Sequence, residues 1–369
     1  MSAAPSGGSE KTGTTTASHD EGAIGRSRRR LTLAGANVLL DGVGTLNLQS
    51  PTVTGTNGGA AASGVPLHDQ EEPNPRIGHV FGSRFGICTK GYAPYNPAKK
   101  NQDSMILTED PKTGALFVGV LDGHGEFGHH VSQYFRDRLP EMLFSHPKFP
   151  AQSGEAMTAC VVAIEKEMLA DKRINARFSG STCVLATVVG NKLTCANIGD
   201  SRIILGRRPA GDKTGAVIPD EVSHDHKPDL PAEKARIEAK GGRVFAIKYD
   251  DGIDGPPRVW LGNMDVPGLA MSRSLGDTVG HDAGIISTPE ITTATITSEH
   301  ECLIIASDGL WEFIENDECL RLAYAAECAN DAKAVCNFLA AESRKRWMKE
   351  EGVVDDTTII VAYIDRAKL

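Results

Sequence analysis

The stretch VGVLDGHGEFG, residues 118–128, runs from apolar residues directly into an aspartate and a histidine that are flanked by glycines. The residues before the aspartate have the composition of a buried strand. Asp122 therefore lies where that strand ends, at the rim of a sheet, and His124 follows two residues later. A single aspartate in this position is most often a turn former. Whether Asp122 has a function beyond the turn depends on which other residues lie at the same rim.

Three further acidic positions adjoin apolar strands in the same way. Asp200 follows KLTCANIG, Asp308 follows ECLIIAS, and the pair Asp355 and Asp356 directly precedes TTIIVAYI. Each of them alone suits a turn or a helix N-cap. Together, carboxylates at several strand ends predict an oxygen-rich cation site, which favours the hard ions Mg²⁺ and Mn²⁺.

His124 and Lys99 are the candidates for proton transfer and phosphate binding. An imidazole titrates near neutral pH, so His124 suits general acid catalysis, and the alternative is a turn histidine packed against a neighbour. Lys99, within NPAKKNQDSM, offers a point charge for a phosphate. Its alternative is a solvated basic turn.

The chain of 369 residues divides by composition into two parts. Residues 1–75 are rich in Gly, Ser, Thr and Ala without strand or helix periodicity, which predicts a disordered N-terminal extension. Residues 76–369 form the predicted folded domain, in which STCVLATVV and KLTCANIGD are joined through Gly190 and Asn191 in a hairpin-type turn. Helices with one apolar face, predicted at 127–144, 153–170 and in two segments after residue 316, pack on antiparallel strands in an α+β domain. Residues 231–240 are predicted to form a short surface helix that begins at Pro231 and stops at Gly241 and Gly242.

Charge and composition narrow the class of protein. The formal net charge of −9 does not favour binding to nucleic acid or to a membrane surface, because both need basic patches. The sequence contains no apolar run long enough to span a membrane. The eight cysteines form no C-x-x-C pair and lie mostly in apolar runs, as reduced core thiols do. We expect an intracellular protein, cytoplasmic and/or nuclear, and a monomer, because no oligomerisation motif stands out.

Nine motifs in chain order resemble the metal-dependent protein Ser/Thr phosphatases of type 2C, in the variant of plant-like and protist-like members. They cover roughly residues 80–364 and read KKNQDS, VGVLDGHG, SGSTCVLATVV, CANIGDSRIILG, DHKPDLPAEKARIEAKGGRV, PGLAMSRSLGD, IISTPEI, IIASDGLWEFI and DDTTIIVAYI. The resemblance implies a central sandwich of two antiparallel sheets, flanked by helices on both outer faces. It also implies an active site in the cleft at one end.

The resemblance further implies two bound Mg²⁺ or Mn²⁺ ions and a third, weaker one. Asp122 would bridge the first two ions, and Asp200 corresponds to the aspartate of the third. The implied metal ligands are Asp103, Asp122, the carbonyl of Gly123, Asp200, Asp308 and Asp355.

The implied reaction is the hydrolysis of phosphoserine and phosphothreonine in phosphoprotein substrates. A hydroxide that bridges the two metals would attack phosphorus without a phosphoenzyme, and His124 would protonate the departing oxygen. Lys99 would bind the substrate phosphate. An alternative function is a catalytically inert binding module of the same fold, although the intact Asp122, Asp308 and Asp355 favour an enzyme.

Several positions depart from the family pattern. Gln102 stands where many relatives carry glutamate, so one contact to an ion is lost or mediated by water. Ala98 stands where many relatives carry a phosphate-binding arginine, and Lys99 is the nearest replacement. Asp356 replaces the usual asparagine, and the register with TTIIV selects Asp355 as the ligand. The resemblance also implies a flap beside the site between SHDHKPD and PGLAMSRSLGD, and the Gly, Pro and Asp of residues 249–265 within it favour a mobile surface element.

Overall fold

The computed structural model describes residues 77–211, 215–249, 252–325 and 330–369. The predicted disordered extension, residues 1–75, lies outside the described residues, as does Cys328. The strands in the described part are β1 (Phe81–Thr89), β2 (Ser104–Glu109), β3 (Leu116–Leu121), β4 (Gly123–His124), β5 (Gly180–Ser181), β6 (Cys183–Val189), β7 (Lys192–Ile198), β8 (Arg202–Arg207), β9 (Ile218–Glu221), β10 (Arg243–Tyr249), β11 (Gly252–Trp260), β12 (Pro267–Leu269), β13 (Leu275–Gly276), β14 (Glu290–Thr295), β15 (His300–Ala306) and β16 (Thr357–Ile364). The helices are α1 (Gly128–Ser145), α2 (Ser153–Ala170), α3 (Pro231–Ala239), α4 (Thr278–Asp282), α5 (Asp308–Trp311), α6 (Asn316–Ala325) and α7 (Ala332–Glu350), with a 3₁₀ turn at Arg366–Lys368.

Two five-stranded sheets form the centre of the fold, and their strands pair antiparallel. One sheet has the strand order β1-β16-β15-β8-β9 and the other has the order β14-β7-β6-β3-β2. The hairpin that joins β6 to β7 turns at Gly190, whose φ of 58° suits a residue without a side chain. The antiparallel pairing predicted for this hairpin is confirmed.

Strand β3 shows why the two sheets stack. Its six residues are all buried, because alternate side chains point to opposite faces of the sheet and both faces are covered. Leu116, Val118 and Val120 pack into the core between the two sheets. Phe117 and Leu121 pack instead against helices on the outer face. A strand buried on both sides is apolar along its whole length, as the sequence shows.

Helices cover the outer face of each sheet. On one side, α1 and α2 contribute the apolar stripe that the helical period predicts, with Phe135 and Ile164 fully buried. On the other side, α6 and α7 pack through residues such as Leu320 and Leu339. The expected α+β sandwich with helices on both outer faces is therefore confirmed.

Three local features differ from the expectations or extend them. Asp308 does not end a strand in a turn, because it is the first residue of the short helix α5. The segment 249–265 contains all of β11, which pairs with β10 and β12 in a small separate sheet. Six of the described cysteines are buried thiols as predicted, whereas Cys88 is exposed.

No helix in the described part of the chain has the length and apolarity needed to cross a membrane.

Candidate active site

The acidic residues singled out by the sequence meet at one edge of the sandwich. In one sheet Ser104 pairs with Leu121, so Asp103 and Asp122 lie opposite each other just beyond the paired strands. In the other sheet Ala306 pairs with Ile359. The start of β16, preceded by Asp355 and Asp356, therefore lies at the same edge as the end of β15, which is followed by Asp308. Antiparallel pairing thus brings strand starts and strand ends to one acidic rim.

Asp103 connects the two sheets at this rim. Its Oδ2 accepts hydrogen bonds of 2.8 Å from Ser307 Oγ and from Thr358 Oγ1, both of which belong to the opposite sheet or its adjoining loop. Its Oδ1 is buried and has no hydrogen-bond partner among the described residues. Burial, together with the negative charges of Asp122 and Asp356, raises the pKa of Asp103 well above its ordinary value. A bound cation would stabilise this carboxylate directly.

Thr182, which lies between β5 and β6, fixes the backbone of Asp122. Thr182 N donates to Asp122 O at 2.9 Å, and Asp122 N donates to Thr182 Oγ1 at 2.9 Å. The same hydroxyl lies 2.7 Å from Ser201 Oγ, next to Asp200 in the chain. Thr182 therefore holds Asp122 and the loop of Asp200 in a fixed relation. Sequence reasoning assigned no role to this threonine.

The loop after β3 leaves no room for a side chain at Gly123. A Cβ there would lie 2.6 Å from the carbonyl oxygens of Gln102 and Gly128. Gly123 N donates to Gln102 O at 3.2 Å, and Gln102 Nε2 donates to Gly125 O at 2.7 Å. An ionised glutamate could not donate the second bond. The amide of Gln102 therefore supports the loop that carries Gly123 and His124.

His124 has an acidic partner that sequence reasoning missed. Its Nε2 lies 2.5 Å from Asp277 Oδ2, and Ser274 Oγ donates to the same carboxylate oxygen at 2.6 Å. The other ring nitrogen, Nδ1, is buried without a hydrogen-bond partner among the described residues. Burial disfavours the charged imidazole, but the carboxylates of Asp277, Asp122 and Asp200 outweigh it, so the pKa of His124 is raised.

A small sheet brings His124 and Asp277 together across 153 positions of sequence. Gly180 in β5 pairs with His124 on one side and with Gly276 on the other. The sequence does contain a signal for this aspartate, because SLGD repeats the pattern NIGD that precedes Asp200. In both cases the glycine has a positive φ, 75° at Gly276 and 96° at Gly199.

Lys99 lies between the two aspartates that precede β16. Its Nζ is 2.8 Å from Asp356 Oδ1 and 3.3 Å from Asp355 Oδ1. Asp356 is buried, and its two oxygens also accept bonds from Gly91 N at 2.7 Å and Gln102 N at 2.9 Å. An asparagine could accept only one of these two amide bonds in the same geometry. Lys99, the nearest replacement for the missing arginine, and Asp356, which replaces the usual asparagine, are therefore physical partners.

Asp200 and Asp308 are both buried at the rim. Asp200 Oδ2 lies 2.7 Å from Lys227 Nζ. Asp308 follows Ser307, the donor to Asp103, and precedes Gly309, where a Cβ would lie 2.1 Å from Asp356 O. Glu126, in contrast, is exposed.

The donor set at the rim suits a hard cation by its chemistry. Carboxylates of Asp103, Asp122, Asp308 and Asp355 and the carbonyl of Gly123 are oxygen ligands, and Asp103 Oδ1 has unused bonding capacity. No three His, Cys, Asp or Glu side chains of the described residues converge closely enough to hold one ion by themselves. Mg²⁺ usually keeps several water ligands, so a loose set of carboxylates fits its coordination.

Known proteins resemble this chain in both sequence and fold. Residues 98–352 match the family model of protein phosphatase 2C. The chain is 30% identical over 320 residues to Probable protein phosphatase 2C 35 of Arabidopsis thaliana, covering 82% of this chain and 88% of that protein. It is 37% identical over 280 residues to Probable protein phosphatase 2C 72 of the same plant, covering 72% and 81%. The crystal structure of serine-threonine phosphatase 2C from Toxoplasma gondii superposes with a TM-score of 0.65 at 21% identity, covering 79% of this chain and 98% of that chain.

Proposed function

The chain belongs to the protein phosphatase 2C family of serine/threonine phosphatases, and we propose that it acts on phosphoproteins with Mg²⁺ or Mn²⁺ bound at the acidic rim. The proposal rests on the environment of the Asp103 carboxylate. This carboxylate is buried between the two sheets, beside two other acids, with one oxygen unbonded among the described residues. Such an arrangement is costly unless a cation compensates it.

Six residues would hold the ions. Asp122 lies opposite Asp103 just beyond the paired ends of β2 and β3, so both carboxylates would be available to the ions. Bound Mg²⁺ or Mn²⁺ would lower the pKa of a water molecule and neutralise charge on the phosphoryl oxygens. The proposed ligands are Asp103, Asp122, the carbonyl of Gly123, Asp308 and Asp355, with Asp200 for a third and weaker ion.

His124 would supply the proton for the departing serine or threonine oxygen. Asp277 occupies its Nε2, so the proton to be transferred is the one on Nδ1. A water oxygen forms the new bond to phosphorus while the bond to the side-chain oxygen breaks, and solvent takes up the proton of the water. The enzyme therefore forms no covalent bond to phosphate, and solvent restores the proton on His124.

Lys99 would bind the substrate phosphate. Its ammonium group has three protons, and its ion pairs with Asp355 and Asp356 direct two of them. The third can reach a phosphoryl oxygen placed in the cleft. The two aspartates thereby hold the lysine in position without neutralising its role as a donor.

A phosphate-release assay on a phosphothreonine peptide tests the proposed function. Wild-type protein and Glu126→Ala should release phosphate with Mn²⁺ and lose this activity in EDTA, whereas Asp122→Ala should be inactive under both conditions. Glu126 is the matched control because it is an exposed acid in the same loop. Equal release in the presence of EDTA would overturn the metal assignment. Binding of Mn²⁺ without any release by the wild type would identify an inert binding module.

A further inference from the structure

Asp200 and Lys227 form a close ion pair beside the proposed metal ligands. Lys227 Nζ lies 2.7 Å from Asp200 Oδ2. The side chain of Asp200 is buried, with 6% of its surface exposed, whereas that of Lys227 is 39% exposed. The carboxylate is therefore fixed inside the rim, and the lysine reaches it from the solvent side.

The backbone presents these two side chains to each other. Residues 199 and 226 are joined twice, because His226 N donates to Gly199 O at 2.9 Å and Gly199 N donates to His226 Nδ1 at 3.1 Å. Asp200 and Lys227 are the next residue on each side of this clamp. The carbonyl of His226 also accepts a bond of 2.8 Å from Ser272 N, which fixes the loop on its other side.

A neighbouring ion pair leaves Lys227 available to Asp200. Asp225 is the other carboxylate near Lys227, at 3.8 Å, but Arg202 already binds it through two bonds of 2.9 and 2.8 Å. Arginine and carboxylate in this fork geometry satisfy each other. This cluster therefore consists of two ion pairs, Arg202 with Asp225 and Lys227 with Asp200.

We propose that Lys227 is a resident counter-cation of Asp200 that takes the place of a third divalent ion. This inference rests on the proposed function, which assigns Asp200 to that ion. A divalent ion then binds Asp200 only by displacing the ammonium group. Displacement is feasible because a lysine side chain is flexible and its head group is strongly hydrated in solvent. The pair keeps the resting site at two ions and makes the third depend on metal concentration.

Calorimetric titration of the full chain with Mn²⁺, without substrate, tests this role directly. The proteins are the wild type, Lys227→Met, Lys234→Met and the double variant Asp200→Asn with Lys227→Met. Lys234 is the matched control, since it is a lysine seven positions along the chain whose side chain is 45% exposed and which pairs only loosely with Glu238 at 3.7 Å. Lys227→Met should bind Mn²⁺ at its weakest site at least about tenfold more tightly than the wild type, a difference of about 1.4 kcal/mol.

The double variant and the control should show no such gain. An unchanged isotherm for Lys227→Met, or a gain that persists after Asp200→Asn, would overturn the inference. If Lys227→Met does not fold by circular dichroism, Lys227→Gln is measured instead and should show the same tightening. Absence of Mn²⁺ binding in every protein would overturn the proposed metal centre as well, which separates the two failures.

Discussion

Asp103 at the acidic rim and Glu233 in α3 are equally buried, each with 5% of its surface exposed, yet their pKa values shift in opposite directions. Asp103 accepts bonds from two hydroxyl groups and lies near other acids. Its burial and the charges of Asp122 and Asp356 raise its pKa well above the ordinary value. Hydroxyl donors do not compensate a buried negative charge that has like charges around it.

Glu233 forms ion pairs with two arginines of the same chain, Arg236 and Arg273. Burial opposes its ionisation, but bonds from Arg273, Ser272 and Arg236 outweigh the burial and lower its pKa from 4.5 to about 2. These contacts tie α3 to the segment that leads to Asp277. A structural carboxylate in this fold is thus neutralised within the chain, whereas the rim carboxylate is left for a cation from solution. Unbalanced buried charge marks a functional site.

Of the substitutions that test the difference between Asp103 and Glu233, Asp103→Asn should have the largest effect. It removes the charge but keeps an oxygen that Ser307 and Thr358 can bond. We expect kcat/KM for a phosphothreonine peptide to fall about 10³-fold, or about 4 kcal/mol, because a metal ligand is lost. We also expect metal-free protein to become more stable, with a melting temperature at least about 2 °C higher, since the substitution removes an uncompensated buried charge.

Thermal unfolding with and without Mn²⁺ checks both parts. Mn²⁺ should raise the melting temperature of the wild type and should raise that of Asp103→Asn much less. A metal-free variant that is less stable than the wild type, together with an unchanged response to Mn²⁺, would show that Asp103 is a structural acid like Glu233.

The substitution Asp277→Asn should have the next largest effect. Asp277 is a positioning residue that keeps a proton on His124, because its carboxylate outweighs the burial that disfavours the charged ring. Without this carboxylate the pKa of His124 falls, and the protonated form is lost at a lower pH. We expect kcat to decrease about 10²-fold and the alkaline limb of the pH profile to move to lower pH.

A pH profile of kcat distinguishes this role from a purely structural one. Asp282→Asn is the control, because Asp282 is an exposed acid at the end of α4, the short helix that Asp277 precedes, and it should leave the profile unchanged. A loss of activity at Asp277→Asn that is equal at every pH would contradict the role in holding the proton.

Asp277 also shows where prediction from the sequence stopped. The strands and helical faces followed from local periodicity, and the acids at strand ends followed from the residues next to them. The packing of two sheets into a sandwich was inferred from the family resemblance, because local composition does not state which faces meet. Thr182, Lys227 and Asp277 reach the site through partners distant in sequence. The repeated pattern of SLGD and NIGD marks Asp277 as a candidate acid, but no pattern within one segment reveals that His124 is its partner.

The small sheet β10-β11-β12 illustrates a second limit. The resemblance implies a flap that includes residues 249–265, and their Gly, Pro and Asp, which are rare in strands, do not predict a strand there. In the structure Val259 and Trp260 are buried, and Trp260 stacks on Phe245 with 5.2 Å between ring centroids. Pairing with β10 and packing of two aromatic rings thus outweigh the local propensity of the segment.

Glu233→Gln tests the structural side of the contrast. The variant should lose about 2 kcal/mol of unfolding free energy at pH 7, because a carboxylate bound by two arginines becomes a neutral amide. A lowered pKa stabilises the fold above the unfolded value of 4.5 and loses this contribution as pH falls toward about 2. The difference between wild type and variant should therefore shrink below pH 4.5.

Urea denaturation between pH 7 and the lowest pH that permits folding measures this difference. Glu238→Gln is the control in the same helix, because Glu238 is exposed and 3.7 Å from its lysine partner. It should leave stability unchanged. A Glu233→Gln difference that is constant across the range would mean that the charge of Glu233 does not stabilise the fold.

Lys99→Gln should have the smallest effect of these substitutions. It removes a single cation from the rim aspartates, whereas Glu233 is bound by two arginines. Asp356 keeps its bonds from Gly91 N and Gln102 N when the lysine is lost, so the rim should stay folded. We expect KM for a phosphopeptide to rise about tenfold, or about 1.4 kcal/mol, with kcat nearly unchanged, since the lost contact holds phosphate before and during reaction. Lys100→Gln is the control, because Lys100 Nζ contacts His129 Nε2 at 3.1 Å. Equal effects of the two substitutions would show that Lys99 acts only as a general surface charge. A large fall in kcat would show that Lys99 acts mainly in the transition state.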